Sequence, residues 1–167
     1  MAGPRTDLHK LARLSRPAHI MIVEARFYAD IADELVRGAA AELEKSGATY
    51  ERFAVAGAFE IPAAIRVALL ACERGTLTRG YDGYLALGCV IRGETSHYDY
   101  VCGESARGLQ DLAIEHGIAL GYGILTVDSA DQAWARAKVD GQNKGGDVAR
   151  ACLGMIALRQ HFGLFGR

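Results

Sequence analysis

Short apolar runs alternate along the chain with longer stretches in which apolar residues recur at helical spacing. The short runs are rich in β-branched residues and end at turn residues, which is typical of strands. They predict four strands, near residues 19–24, 50–55, 84–91 and 119–127. Between the first two strands, apolar residues at every fourth position from Ile31 to Leu43 predict an amphipathic helix. Alternation of strands and helices indicates an α/β fold with a parallel sheet.

The same spacing predicts helices near residues 61–74, 98–116 and 145–161. Pro62 stands in a first turn, where a helix tolerates proline, and Gly75 and Gly117 are stop signals. The segment 129–132 matches a capping box and predicts the start of one more helix. The motifs discussed below all fall where strands end and helices begin, which is where parallel sheets tend to bind ligands.

Composition fits a single core, with 167 residues of which 50% are hydrophobic and 23% charged. The formal net charge is -1 and the sequence pI about 6.5, so no strong field favours nucleic acid or an anionic membrane. Apolar runs fall short of the roughly 18 residues of a membrane span. Residues 1–16 lack the uninterrupted apolar core of a secretory signal. We expect one domain, residues 19–167, preceded by a flexible extension, residues 1–18, in a soluble cytoplasmic protein.

The four cysteines, Cys72, Cys89, Cys102 and Cys152, are widely separated and show no paired metal-ligand spacing. Three of them lie inside apolar helix or strand patterns. This favours buried free thiols in a reducing cytosol over disulfides or a zinc site. We expect no metal.

A loop with two hydroxyls, residues 92–96, follows the third predicted strand and leads into a helix. Free backbone N–H groups at a helix start can surround an anion, although Thr95 and Ser96 are on spacing alone more often plain N-caps. His97 follows at once at the start of the helix, where its imidazole is a candidate for proton transfer. A lone histidine is more often structural, so both interpretations remain open.

Three other positions carry weaker signals. Glu60 precedes a helix and can bind substrate hydroxyls or merely cap that helix. Phe27 follows the first strand and can stack on a planar heterocycle or pack in the core. Arg136 and Lys144 flank a Gly/Asn-containing turn and can bind a phosphate or remain solvated. Spacing alone therefore predicts an α/β protein that binds a small phosphorylated or anionic ligand.

Two long motifs resemble the lumazine synthase family: Gly57-Ala58-Phe59-Glu60-Ile61-Pro62, and residues 90–100, Val-Ile-Arg-Gly-Glu-Thr-Ser-His-Tyr-Asp-Tyr. Together with Ala25-Arg26-Phe27, Arg136 and Asn143-Lys144-Gly145, the resemblance extends from about residue 19 to 162. It implies a three-layer flavodoxin-like sandwich around a mainly four-stranded parallel sheet. It also implies condensation of 5-amino-6-(D-ribitylamino)uracil with 3,4-dihydroxy-2-butanone 4-phosphate. The products are 6,7-dimethyl-8-ribityllumazine, phosphate and water, in the penultimate step of riboflavin biosynthesis, with no cofactor.

The resemblance also implies roles for individual residues. Phe27 stacks on the pyrimidine, Ala58, Phe59 and Glu60 hold the ribityl chain, and Cys89, Val90 and Ile91 line the ring pocket. His97 carries protons, and Gly93, Glu94, Thr95 and Ser96 bind the butanone phosphate together with Arg136. Lys144 lies close to the ring and the phosphate. In this family the pocket lies between neighbouring subunits of a pentamer, so Tyr122, Arg136 and Lys144 come from the adjacent chain.

Three departures from the family pattern affect details of binding and packing: Tyr28 where asparagine is usual, Ala56 where proline is usual, and Asp140 where lysine is frequent. Two rival functions remain. One is a non-catalytic flavin or lumazine carrier, or a structural shell, on the same fold. The other is a flavodoxin-like electron-transfer or receiver module, which Arg26-Phe27-Tyr28 at the end of the first strand fits poorly.

Overall fold

The structure, a computed structural model, describes residues 13–165. Its strands are β1 (His19–Ala25), β2 (Thr49–Val55), β3 (Gly83–Ile91) and β4 (Ala119–Val127). Its α-helices are α1 (Ala29–Lys45), α2 (Ile61–Glu73), α3 (His97–His116), α4 (Ala130–Ala137) and α5 (Lys144–His161). Each predicted strand and helix is confirmed to within about a residue at its ends, which is the usual uncertainty of such boundaries.

The four strands form one parallel sheet in the order β2-β1-β3-β4. β1 and β3 lie in the middle and are buried along almost their whole length, which explains why their sequences are apolar apart from His19 and Glu24 of β1. β2 lies at an edge and is largely exposed. The predicted α/β class and the flavodoxin-like arrangement are confirmed.

Helices cover both faces of the sheet and create two separate cores. α1, α4 and α5 pack on one face, where Leu35, Leu85 and Ile156 are fully buried. α2 and α3 pack on the other face around Val23, Ile65 and Leu109. The three-layer sandwich predicted from the sequence is therefore confirmed.

Local signals act largely as predicted. Gly117 ends α3 in the left-handed conformation, with φ of 57°, which glycine adopts without steric cost. Ser129 caps α4 by accepting a hydrogen bond from the Gln132 N–H at 3.3 Å. The reciprocal bond of a capping box is displaced by one residue, because Gln132 Oε1 accepts from the Asp128 N–H at 3.0 Å.

Of the predicted flexible extension, residues 1–12 lie outside the described residues. The remaining part contacts the domain: the Ser15 N–H and Oγ both donate to Gln160 Oε1, at 2.7 and 2.9 Å. Arg16 pairs with Asp82 at 3.2 Å, and Ala18 is buried. Within residues 13–165, no helix is both long and apolar enough to cross a membrane.

The cysteines are all free thiols, of which Cys89 and Cys152 are buried and Cys72 and Cys102 half-buried. No cluster of three or more potential metal ligands occurs among the described residues.

Candidate functional site

The carboxyl ends of all four strands lie on the same side of the sheet, and a cleft of about 500 Å³ lies beside them. Because the strands are parallel, this side collects the segments that follow β1, β2 and β3. The volume falls within the range of small-molecule sites. The lining residues are Phe27, Tyr28, Ala56, Gly57, Ala58, Phe59, Glu60, Cys89, Val90, Ile91, Gly93, Thr95, His97, Tyr98 and Val101.

Phe27 lies on the side of the cleft that follows β1, with 74% of its surface exposed. Its ring meets the Tyr28 ring edge to face, with centroids 4.9 Å apart. An aromatic ring this exposed gains little from core packing and leaves a face available to a planar ligand. This geometry favours the stacking role over the core-packing alternative.

The backbone beside Phe27 is held by an ion network around the buried carboxylate of Glu24. Arg52 donates to both of its oxygens, at 2.8 and 3.0 Å, and Arg26 donates to Oε2 at 3.0 Å. Arg26 also pairs with Asp33 of α1, and this hydrogen bond lowers the pKa of the Asp33 carboxyl. The network joins β1, β2 and α1 next to the turn after β1 that contains Phe27.

The motif at residues 57–62 forms a short 3-10 turn, Ala58–Glu60, that runs directly into α2. Ala58 is buried, whereas Phe59 and Glu60 are exposed towards the cleft. Glu60 Oε2 accepts a hydrogen bond from the Gly57 N–H at 3.0 Å. The carboxylate thus caps the turn with one oxygen, which leaves its other oxygen able to accept hydrogen bonds from a polyhydroxyl ligand.

The end of β3 supplies the apolar wall of the cleft through Cys89, Val90 and Ile91. Burial raises the pKa of the Cys89 thiol from 9.0 to about 11. The thiol is therefore protonated at neutral pH and presents an uncharged surface.

The loop after β3 is exposed from Gly93 to Ser96, and Gly93 and Thr95 line the cleft. Ser96 is the N-cap of α3 without a side-chain cap hydrogen bond. Thr95 Oγ1 accepts a long hydrogen bond, 3.4 Å, from the His97 N–H. Since neither hydroxyl is fully engaged in capping, the loop can offer N–H and O–H donors to an anion.

His97 is the first residue of α3, and its exposed side chain lines the cleft. It therefore stands between the apolar wall and the candidate anion loop. An accessible imidazole at that position can reach a reacting atom in the cleft and move a proton.

Five predicted site residues do not line this cleft: Glu94, Ser96, Tyr122, Arg136 and Lys144. Arg136 Nη1 donates to the Gln132 carbonyl of its own helix at 2.9 Å. Lys144 Nζ pairs with Asp147 at 3.0 Å. Tyr122 lies on β4. Burial is the main cause that raises the pKa of its hydroxyl, and the neighbouring Cys102 and Tyr98 raise it further. In a single chain, the residues predicted to bind the ring and to carry protons therefore lie together in the cleft. Arg136 and Lys144, the two cations predicted to bind phosphate, lie outside it.

Five other residues line the cleft without having been predicted: Tyr28, Ala56, Gly57, Tyr98 and Val101. Tyr28, Ala56 and Gly57 are chain neighbours of predicted site residues. Val101 was detectable from helical spacing, since it stands four residues after His97 on α3. Tyr98 directly follows His97, and adjacent helix positions do not share a face, so spacing does not indicate it.

Comparison with known proteins finds similarity over most of the chain. The family model for 6,7-dimethyl-8-ribityllumazine synthase matches residues 17–160. The chain is 55% identical over 148 residues to "6,7-dimethyl-8-ribityllumazine synthase 1" of Rhizobium meliloti, covering 89% of this chain and 95% of that protein. It is 52% identical over 151 residues to "6,7-dimethyl-8-ribityllumazine synthase" of Agrobacterium fabrum, covering 90% and 99%. A third relative, of the same name, from Bartonella bacilliformis is 54% identical over 145 residues, covering 87% and 92%.

Proposed function

The chain belongs to the 6,7-dimethyl-8-ribityllumazine synthase family, and from that premise we propose a role in the reaction for each residue of the site. Its function is lumazine synthase activity, the penultimate step of riboflavin biosynthesis. The observation that carries the assignment is the family match over residues 17–160, which includes every segment around the cleft. We also propose a cytoplasmic location for the enzyme, a reducing compartment in which free thiols persist.

The cleft binds 5-amino-6-(D-ribitylamino)uracil. Its pyrimidine ring stacks on the exposed face of Phe27 and lies against the apolar wall of Cys89, Val90 and Ile91. Its ribityl hydroxyls donate to the free oxygen of Glu60 and contact the 3-10 turn at Ala58 and Phe59. An aromatic surface beside one carboxylate matches a substrate with a flat ring and a polyhydroxyl tail.

The second substrate, 3,4-dihydroxy-2-butanone 4-phosphate, places its phosphate on the loop from Gly93 to Ser96. The loop offers exposed backbone N–H groups at the start of α3, where the helix dipole favours an anion. Arg136 binds the same phosphate from another copy of the chain, and Lys144 favours the negative charge that develops as phosphate leaves.

The reaction begins when the 5-amino group adds to the ketone and water is lost, which forms an imine. A proton then leaves the adjacent carbon as the carbon–oxygen bond to phosphate breaks. Elimination leaves an enol, which takes up a proton at its terminal carbon and becomes a methyl ketone. Attack of the ribityl-bearing amine on this ketone, with loss of a second water, closes the second ring. His97 moves the protons, while the protein mainly holds the two substrates in register.

The active enzyme is a homopentamer, or a multiple of pentamers, with each site shared by two neighbouring copies. Two observations support this proposal. The cleft lacks Arg136 and Lys144 of its own chain. In addition, α2 and α3 carry large apolar side chains in contact with solvent, with Val67 64% and Ile114 70% exposed. Apolar surface of this kind is typical of a subunit interface.

The function is tested by mixing purified protein with both substrates in phosphate-free buffer and following lumazine absorbance and fluorescence. We expect a rate well above the spontaneous reaction. His97→Ala should reduce turnover by roughly a hundredfold or less, because alignment of substrates persists without the imidazole. His116→Ala, at the other end of α3, is the matched control and should retain full activity.

Complete loss of activity in assembled His97→Ala would contradict the view that alignment dominates. No acceleration by the unmodified protein, together with tight lumazine or riboflavin binding, would favour the non-catalytic carrier instead.

A further inference from the structure

The proposed phosphate site and His97 both depend on the loop from Gly93 to Ser96, which is exposed along its whole length. Its internal hydrogen bonds are local: from the His97 N–H to Thr95 Oγ1 at 3.4 Å, and from the Asp99 N–H to the Ser96 carbonyl at 3.0 Å. A loop of this kind gains its geometry mainly from whatever fixes its two ends.

One residue, Arg92, contacts the structure at both ends of the loop. Its backbone N–H donates to the Val127 carbonyl at 2.9 Å, and its Nε donates to Asp128 Oδ1 at 3.1 Å. These contacts fasten the start of the loop to the end of β4. Its Nη1 lies 3.4 Å from Asp99 Oδ1, in the first turn of α3.

The guanidinium also lies over the ring of Tyr98, with its Cζ 4.1 Å from the ring centroid. Tyr98 lines the cleft and is the residue directly after His97. Arg92 therefore contacts the segment before the loop, the end of β4 and the helix turn that carries the imidazole. A planar cation with several donors is suited to such a bridge.

We propose that Arg92 is a positioning residue for the lumazine synthase reaction, which closes the base of the loop and so orients its phosphate-binding amides and His97. The inference rests on the proposed function, because it presupposes that this loop binds the phosphate. Arg92 acts through the loop and not as a phosphate ligand, since its guanidinium is already paired with Asp99 and Asp128.

A matched comparison exists on α3, the helix that follows the loop. Arg107 pairs with two carboxylates, Glu104 at 2.8 Å and Asp111 at 2.6 Å, but contacts no part of the loop. Both arginines are exposed, at 48% for Arg92 and 63% for Arg107, and exposed ion pairs add little to stability. Loss of either cation should therefore leave folding nearly unchanged, whereas only Arg92 should affect the site.

The experiment compares Arg92→Met, Arg92→Lys, Arg107→Met and Thr95→Ala in the assembled enzyme. It measures kcat, KM for each substrate, inhibition by inorganic phosphate, and the melting temperature. For Arg92→Met we expect kcat/KM for the butanone phosphate to fall, and the inhibition constant of inorganic phosphate to rise, by about tenfold. KM for the pyrimidine should change less than about twofold, because its proposed contacts lie outside the loop. Arg92→Lys should recover part of the loss, because it retains the charge but not the planar fork.

The inference is overturned if Arg92→Met behaves like Arg107→Met while Thr95→Ala weakens phosphate binding. It is also overturned if KM for both substrates and the melting temperature change in parallel, which would indicate general loss of structure. Unchanged phosphate binding in both Thr95→Ala and Arg92→Met would overturn the inference together with the proposed phosphate site.

Discussion

Gly145 is the second residue of α5, at a point where this helix packs closely against α1. A Cβ added there would lie 2.0 Å from the Leu35 carbonyl oxygen and 2.8 Å from its carbon. Both are backbone atoms, so Gly145→Ala forces one helix to move. Overpacking costs about 1–3 kcal/mol, with the upper end expected when backbone must shift. Alanine returns up to about 1 kcal/mol through helix propensity. The net loss is therefore about 2 kcal/mol.

Thermal unfolding of the assembled protein provides the measurement. A loss of about 2 kcal/mol should lower the melting temperature by roughly 4–8 °C for a chain of this size. Because Lys144 directly precedes Gly145, the same variant should lose lumazine synthase activity as the start of α5 is displaced. The matched control is Gly154→Ala on the same helix, where an added Cβ meets no described atom within 4 Å. That variant should be unchanged or more stable by up to about 1 kcal/mol.

Equal stability of Gly145→Ala and Gly154→Ala would refute the reasoning, because it would mean that α1 and α5 are not in close contact at Leu35. Retention of full activity in a destabilised Gly145→Ala variant would show that Lys144 keeps its position even when the packing of α5 against α1 is disturbed.

Three further predictions follow from the cleft and from the network between α1 and α5. Burial raises the pKa of Cys89 from 9.0 to about 11, so its contribution to stability is complete below pH 9 and lost as the pH rises to about 11. This amounts to about 2–3 kcal/mol, and Cys89→Ala should remove that part of the alkaline loss in urea unfolding. Although burial alone would raise them, hydrogen bonds from Lys45, Lys144 and Arg150 hold the pKa values of Glu42 and Asp147 below their usual values. The stability they confer is present above about pH 4.5 and is lost as the pH falls through the lowered values. Arg150→Met should therefore cost about 1–3 kcal/mol in urea unfolding at pH 7 and progressively less as the pH is lowered through the acid range, and a cost that does not change with pH would contradict the ion-pair account. Phe27→Leu should raise KM for the pyrimidine substrate about 3- to 10-fold with an unchanged melting temperature, because the ring is exposed and its role is stacking.

Much of the fold was predictable because the pattern of burial is simple. β1 and β3 are covered on both faces, so each contains an apolar run that stands out from the helical segments. The 3-10 turn at Ala58–Glu60 was not predicted, since three residues are too few to show a period. The hydrogen bond from the Asp128 N–H to Gln132 Oε1 was not predicted, because spacing alone indicates a capping box with the Ser129 N–H as donor. Which of these two adjacent N–H groups donates depends on the local geometry.

The candidate site was predictable only for residues that directly follow the ends of strands along the chain. Residues after the ends of parallel strands must meet at one edge, so Phe27, Glu60 and His97 come together as expected. Tyr28 and Tyr98 were missed because sequence does not reveal how a side chain turns at a strand or helix end. The separation of Arg136 and Lys144 from the cleft depends on how α4 and α5 pack on the opposite face of the sheet, which local patterns do not encode.

A mixing experiment tests most directly whether two copies of this chain build one lumazine synthase site. His97→Ala and Arg136→Ala are co-expressed in equal amounts, and the mixed assembly is assayed beside each variant alone. If the site joins His97 of one copy to Arg136 of its neighbour, random assembly restores about a quarter of the sites, and the mixture exceeds both parents. A mixture whose rate equals the mean of the two parents, with assembly intact by light scattering, would show that each site lies within one chain and would contradict the account.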